Sequence, residues 1–400
     1  MLNFDEALFR ILKQVSPLRS ERTGVGAPCL GRSLAEPVIA QLTQPPFNAS
    51  AMDGYAVRSA DVMVGKHLEI IGESQAGAGF RGAVAKGQCV RIFTGAPVPA
   101  ETDAIIVQEQ AERQDNLVSF SILPHTGQNI RPTGQDFTKG KELLGVGQAL
   151  TPAAIALTAA ANNASVMTYR RPKLAMLATG DELVPAGSNL QTGQIVASNS
   201  CGLSALFAPY CAGVTDLGIA ADQIEALTQS LKAALESDAD VIITSGGASV
   251  GDHDLVQPVF RQLGVDMGFW KIAMRPGKPL MFGTFGEKLI FGLPGNPVSA
   301  MITASLLVIP ALKAMAGNGM PFHRMLRVPL AAPLAANGAR RHFIRAHLVA
   351  TDGATKALPF SQTDSAHLSS LATAQALIIH PENCVALEAG AHVDILSLPF

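Results

Sequence analysis

Cysteine is scarce in this 400-residue chain. Cys29, Cys89, Cys201, Cys211 and Cys384 are the only five, and no two form a C-x-x-C pair. An odd, unpaired set argues against a disulfide framework and for a reducing compartment. No spacing suits zinc or a redox metal, and the nine histidines are scattered. Charge of one sign is also lacking. The net charge is −2, so no global field would recruit nucleic acid, and any anion site must be local. The opening MLNFDEALFR is acidic within six residues and has no signal-peptide core. The longest apolar-rich run, 301–312, is broken by Thr303, Ser305 and Pro310 and is too short to span a bilayer. The expectation is a cytoplasmic protein with no membrane contact. No G-x-G-x-x-G segment opens a helix after a first strand, which argues against a nicotinamide-dependent oxidoreductase. There is no internal repeat and no low-complexity tract.

What is present is apolar and patterned. The chain is 48% hydrophobic and 16% charged, a composition that buries cores, and its length exceeds what one core accommodates. Asn3 with Glu6 caps a first helix, in which Phe4, Leu8, Ile11, Leu12 and Val15 repeat at helical spacing. Thr151-Pro152 starts a second, alanine-rich helix running towards Ala161. Between them, glycine, proline and short β-prone runs predict a β-rich insertion. From Arg171 strands alternate with helices. Buried-type strands are expected at 174–178, 241–244 and 289–291. Asp222 and Glu225 read as a capping box ahead of Leu227, Leu231 and Leu235. Asn296-Pro297 opens a long helix ending near Gly317. This alternation predicts a mostly parallel sheet in an α/β domain. After Gly317 the runs at 325–330, 376–380 and 393–396 are β-like.

In an open parallel sheet, ligands bind beyond the carboxyl ends of the strands. Three loops fall there: 179–182, 245–254 and 292–297. All are rich in glycine or small polar residues, which lets backbone N–H groups approach a phosphate. One such loop is often a plain turn; three on one edge are hard to explain that way. Asp181, Glu182 and Asp252 lie in these loops, where carboxylates suit Mg²⁺ beside phosphate, although helix capping competes as an explanation for Asp252. Lys271, Arg275 and Lys278 place three cations within eight residues around the turn Pro276-Gly277. That pattern favours an anion site over a solvated loop.

A set of ordered motifs resembles a known family. They are Pro46-Phe47-Asn48-Ala49-Ser50-Ala51-Met52-Asp53-Gly54-Tyr55-Ala56, Phe93-Thr94-Gly95-Ala96-Pro97-Val98-Pro99, Ile130-Arg131-Pro132 with Gly134 and Asp136, and Thr179-Gly180-Asp181-Glu182-Leu183. Then come Gly193-Gln194-Ile195 with Asn199-Ser200, Ser245-Gly246-Gly247-Ala248-Ser249-Val250-Gly251-Asp252, Arg275-Pro276-Gly277-Lys278-Pro279 and Gly292-Leu293-Pro294-Gly295-Asn296-Pro297-Val298-Ser299. Together they resemble the molybdopterin molybdenumtransferases of the MoeA type. Ser365, His367, Ser369 and Ser370 fit that family's C-terminal domain more loosely.

The resemblance implies a homodimer of four-domain subunits. A helical domain (1–20 and 138–170) is interrupted by a β-rich domain (21–137), followed by an α/β molybdopterin-binding domain (171–316) and a C-terminal β-barrel (317–400). The implied reaction takes adenylylated molybdopterin and molybdate, uses Mg²⁺, releases AMP and leaves molybdenum on the pterin dithiolene. A molybdopterin adenylyltransferase is the implied supplier. By the same resemblance Asp53, Thr94, Asp136, Glu182 and Asp240 are catalytic. Ser245, Gly246, Gly247, Ser249, Asp252, Lys271, Arg275, Lys278, Pro294, Gly295, Asn296 and Arg345 bind substrate. Asp181, Glu182 and Asp252 serve the metal, and Asp53, Thr94 and Asp136 face the partner subunit. Where the family often has lysine, this chain has Arg275, which keeps the charge in a planar fork. The rival readings are an adenylyltransferase, which is usually one small domain, and a non-catalytic scaffold, which usually carries a fused second enzyme domain.

Overall fold

A computed structural model describes residues 1–246, 255–351, 353–362 and 364–398. Its centre is a six-stranded sheet in the order Gly213–Ala220, Lys173–Thr179, Val241–Ser245, Lys288–Leu293, Pro279–Phe285, Asp266–Lys271. The first four strands are mutually parallel, and only Pro279–Phe285 runs against the rest. Helices cover both faces. Val241, Ile243 and Phe291 pack towards the helices Ser198–Phe207 and Pro297–Thr303. Ile242 and Ile290 pack towards Ile224–Glu236 and Val256–Gln262. Burial on both faces explains why these strands read as unbroken apolar runs.

The long helix opened by Pro297 continues through a π-helical stretch, Ala304–Val308, into Ile309–Met315. The helical run Pro297–Met315 is 19 residues long, enough by length and composition to cross a membrane. This corrects the expectation of a run too short to span. Its apolar character is accounted for by burial inside the protein, since Ile302 through Ile309 line the main core.

The N-terminal region departs from the helical domain expected for 1–20 and 138–170. Both predicted caps are present: Asn3 accepts from the Glu6 N–H and Thr151 from the Ala154 N–H. The two helices do not share a core. Phe4, Ala7 and Ile11 of Phe4–Lys13 join the main core, with the Phe4 ring 5.0 Å from that of Phe343. The helix Pro152–Ala160 instead packs with Cys29, Leu34, Val38, Leu144 and Val166. That small core is framed by two antiparallel strand pairs, Ser20–Gly24 with Ser165–Tyr169 and Val38–Ile39 with Glu142–Leu144. The first helix has an apolar stripe wide enough to need a large partner surface, whereas an alanine-rich helix can sit close to short strands. The chain between these helices carries a mixed six-stranded sheet between Gly54 and Phe120.

The C-terminal strands form a second sheet in which the bent strand Arg341–Thr351 pairs with Ala354–Pro359 and Ala376–His380. A bridge from Leu330 to Ala357 links the opposite edges and curls the sheet towards a small barrel. The two-residue strand Met274–Arg275 of the central region adds to this sheet in parallel, against Arg341 and His342. The cation-bearing segment from Lys271 to Lys278 is therefore tethered at both sides, by the Asp266–Lys271 strand and by this graft.

Candidate active site

The carboxyl ends of the strands open into a cavity of about 930 Å³. Its walls come from all three predicted loops: Thr179, Gly180 and Glu182 from the first, Ser245 and Gly246 from the second, and Pro294, Gly295 and Asn296 from the third. Gly246 has φ +97, and a Cβ there would fall 2.4 Å from the Thr179 carbonyl oxygen, so only glycine lets these loops meet. Asn199 joins two of them, its amide donating to Ser245 Oγ at 2.9 Å and to the Gly295 carbonyl at 2.8 Å. Thr179 Oγ1 is buried at this edge and has no hydrogen-bond partner among the described residues.

Arg275, Gly277 and Lys278 form a basic wall of the same cavity. Lys271 is not part of it. It ends the strand Asp266–Lys271, opposite Pro279. A further cation comes from the C-terminal domain instead. Arg340 lines the cavity, while its neighbour Arg341 is held elsewhere by both oxygens of Asp5 at 2.8 Å and by Glu382. The loop that carries Asp364, Ser365 and Ala366 closes this side. Asn296 occupies the expected N-cap position, but its side chain makes no capping bond; its amide donates to Ser365 Oγ at 2.9 Å and so ties the α/β domain to that loop.

Arg345 lies behind the wall. Its buried guanidinium donates to the carbonyls of Gln362, Asp364 and His367 and to Ser370 Oγ. It borders a separate cavity of about 10 Å³ with Pro276 and His342. The structure thus brings Arg345 to the loop that shapes the pocket rather than to the large cavity itself.

The acidic residues divide. Glu182 lines the cavity, and so does Asp222, which the sequence suggested as a helix cap. The helix Ile224–Glu236 has Gln223 as N-cap, with no side-chain capping bond, so the expected capping box is absent. Burial, and then the neighbouring charges of Asp181 and Glu182, raise the Asp222 pKa. Asp181 accepts the Asp222 N–H at 3.0 Å. Gly247, Ser249 and Asp252 lie outside the described residues. Among the described residues no group of three or more His, Cys, Asp or Glu side chains is arranged to hold a metal. Hard oxygen donors of the kind Mg²⁺ takes do stand on the wall, in Glu182 and Asp222.

Asp240 is not brought to the cavity. It precedes Val241 at the amino end of its strand, and the cavity lies at the carboxyl end. Both its oxygens take Arg170 at 2.6 and 2.7 Å, and one also accepts the Lys173 N–H. A carboxylate so occupied joins the N-terminal strands to the central sheet. Burial works against its charge, yet Arg170 and Lys173 still hold its pKa below the usual carboxylate value.

Asp53, Thr94 and Asp136 belong to the β-rich region and do not line the cavity. Asp53 Oδ1 accepts both the Thr94 N–H and the Thr94 hydroxyl, each at 2.7 Å. These bonds are the main reason the Asp53 carboxyl lies below its usual pKa range, with Arg91 adding a weaker pull. Asp136 is exposed.

Comparison with known proteins gives this geometry its context. Residues 175–314 match the model of a probable molybdopterin binding domain. Residues 2–162 match the MoeA N-terminal region (domains I and II), and residues 327–398 match the MoeA C-terminal region (domain IV). The chain is 41% identical to a molybdopterin molybdenumtransferase of Haemophilus influenzae, over 80% of this chain and 78% of the relative. It is 35% identical to one from a Nostoc species, over 92% and 87%. Two solved structures of molybdopterin biosynthesis MoeA protein from Pyrococcus horikoshii superpose with TM-scores of 0.79 and 0.85. They are 29% and 27% identical, and the match covers 99% or more of both chains in each case. The fold and the cavity define a molybdopterin-binding α/β enzyme with appended β domains. The chain belongs to the molybdopterin molybdenumtransferase family.

Proposed function

We propose that this chain is a cytoplasmic enzyme that inserts molybdenum into molybdopterin. Its substrates are adenylylated molybdopterin and molybdate, its products AMP and molybdenum cofactor, and an adenylyltransferase supplies the pterin. The observation that carries this reading is the cavity itself. Glycine-rich backbone from three strand ends meets Arg275, Lys278 and Arg340 there, and the carboxylates of Glu182 and Asp222 line the same cavity. The phosphoanhydride would lie along Gly180, Gly246 and Gly295, where N–H groups can approach closely. Arg275, Lys278 and Arg340 would take phosphate or molybdate oxygens through charge-assisted hydrogen bonds.

Mg²⁺ fits the acidic side. Glu182, with Asp181 and Asp252, would hold it, and Asp222 adds a further carboxylate beside them. When bound, the ion neutralises charge on the phosphate oxygens. Asp53, Thr94 and Asp136 act from a second copy of the chain, a reading supported by their position outside the cavity, with Asp53 and Thr94 already hydrogen-bonded to each other.

Purified protein supplied with adenylylated molybdopterin, molybdate and Mg²⁺ should release AMP and yield cofactor that activates a cofactor-free molybdoenzyme. Chelation should stop AMP release. Glu182→Gln should abolish insertion while leaving Tm nearly unchanged, because Glu182 is exposed and takes no part in the core. Formation of adenylylated pterin from molybdopterin and MgATP would instead identify an adenylyltransferase.

A further inference from the structure

One guanidinium grips the chain on both sides of the Asp53–Thr94 pair. Arg91 stands in the strand Gln88–Ile92, directly opposite Tyr55 of Gly54–Val57. Its Nη1 donates to the Gly54 carbonyl at 3.0 Å, and its Nη2 to Gln108 Oε1 at 2.6 Å. Its Cζ lies 5.1 Å from the Tyr55 ring centroid and 4.9 Å from that of Phe93. Gly54 follows Asp53, and Phe93 precedes Thr94. Gln108 closes the circle, since its N–H donates to the Asp53 carbonyl at 3.1 Å. Gly54, Phe93 and Gln108 are thus each adjacent to, or hydrogen-bonded to, one member of the pair, and Tyr55 follows Gly54 in the same strand.

From this arrangement we infer that Arg91 is the positioning residue for Asp53 and Thr94. It acts on the reaction only through them. The planar fork bonds two acceptors at once while its Cζ lies near two aromatic rings. A lysine keeps the charge but cannot reproduce that geometry. With Oδ1 committed to Thr94, the aim of Asp53 Oδ2 depends on the segments that flank the pair, and Arg91 holds one by the Gly54 carbonyl and packs against the other by the Phe93 ring. Small errors of aim cost much at a reacting centre.

The inference rests on the proposed role of Asp53 in the reaction. The test uses the full chain and four variants: Arg91→Lys, Arg91→Gln, Asp53→Asn and the double variant Asp53→Asn/Arg91→Lys. AMP release is measured at saturating adenylylated molybdopterin and molybdate. Arg91→Lys and Arg91→Gln should each lower kcat roughly 10- to 100-fold. KM for both substrates and Tm should barely move. The double variant should be no slower than Asp53→Asn alone, because a residue acting through Asp53 has nothing left to act on. If the two losses multiply, or if Arg91→Lys keeps full kcat while Asp53→Asn is inactive, Arg91 is only part of the sheet and the inference fails alone. A fully active Asp53→Asn would overturn the role of Asp53 and the inference with it.

Discussion

At the residue scale the basic wall is the most testable feature. Arg275 is exposed in a two-residue strand and Lys278 borders the same cavity. Losing one charge-assisted hydrogen bond to an anion should cost about 1.5–3 kcal/mol, roughly 10- to 150-fold in affinity. Calorimetric titration with molybdate and with adenylylated molybdopterin should show such a loss for Arg275→Ala and Lys278→Ala. Arg275→Lys should be mild, and Lys271→Ala milder than either. Normal binding of both ligands by the two alanine variants would reduce the wall to a solvated surface. The sequence exposed Arg275 and Lys278 because glycine and proline punctuate them. Arg340 was hidden, since Arg340-Arg341 reads as a solvated pair. Which of the two faces the cavity is decided by Asp5, far away in sequence, which captures Arg341. Asp222 was hidden for a similar reason. Its spacing to Glu225 mimics a cap, and only the fold of the preceding loop sets it beside Asp181.

At the scale of elements, the graft of Met274–Arg275 onto the C-terminal sheet links catalysis to packing. Gly277 follows with φ +97, and a Cβ there would lie 2.2 Å from Thr303 Oγ1 in the core helix. Gly277→Ala should lower stability by about 1–3 kcal/mol and weaken anion binding together with it. Adding Thr303→Ala should recover part of the stability by removing the clash; a melting series on the single and double variants checks this. The neighbouring strands hold a buried cross-strand pair, His342 opposite His380. Burial and then the charge of Arg275, with His380, Arg340 and Arg345 also close, push the His342 pKa down to about 4. Burial lowers that of His380 as well. Because the unfolded imidazole titrates near 6.5, the unfolded state binds the proton first. Through His342, stability should be flat above that pH and fall between it and about 4, by at most about 1.4 kcal/mol per pH unit, and His380 acts in the same direction. Urea midpoints at pH 7.5 and pH 5 should differ less in His342→Gln than in the parent. Three of the six central strands were legible because apolar residues run unbroken through their middles. Gly213–Ala220 was not, having a single buried residue, Ala220. Asp266–Lys271 and Pro279–Phe285 were obscured by the turn residues and cations between them.

At the scale of the whole molecule, the cavity and the Asp53–Thr94 pair lie on different units of one chain. The cavity is lined from residue 178 onward, with nothing from the β-rich insertion. The sequence revealed that two sets of polar residues exist, but packing had to decide how they are grouped. The same holds for the first helix, whose caps were readable while its partner surface, Phe343 and the long helix, was not. If one reaction needs both sets, a second subunit must bring Asp53, Thr94 and Asp136 to the cavity of the first. Two-fold symmetry then builds two composite sites per dimer. Pairing an Asp53→Ala subunit with a Glu182→Ala subunit puts both lesions in one composite site and neither in the other. Heterodimers isolated with two different affinity tags should therefore regain up to about half the wild-type rate of AMP release, although each parent homodimer is inactive. A site complete within one chain predicts no recovery, because every subunit would then carry its own lesion. Verified heterodimers as inactive as their parents would rule out the shared site while leaving the basic wall and the strand-end loops of the cavity untouched.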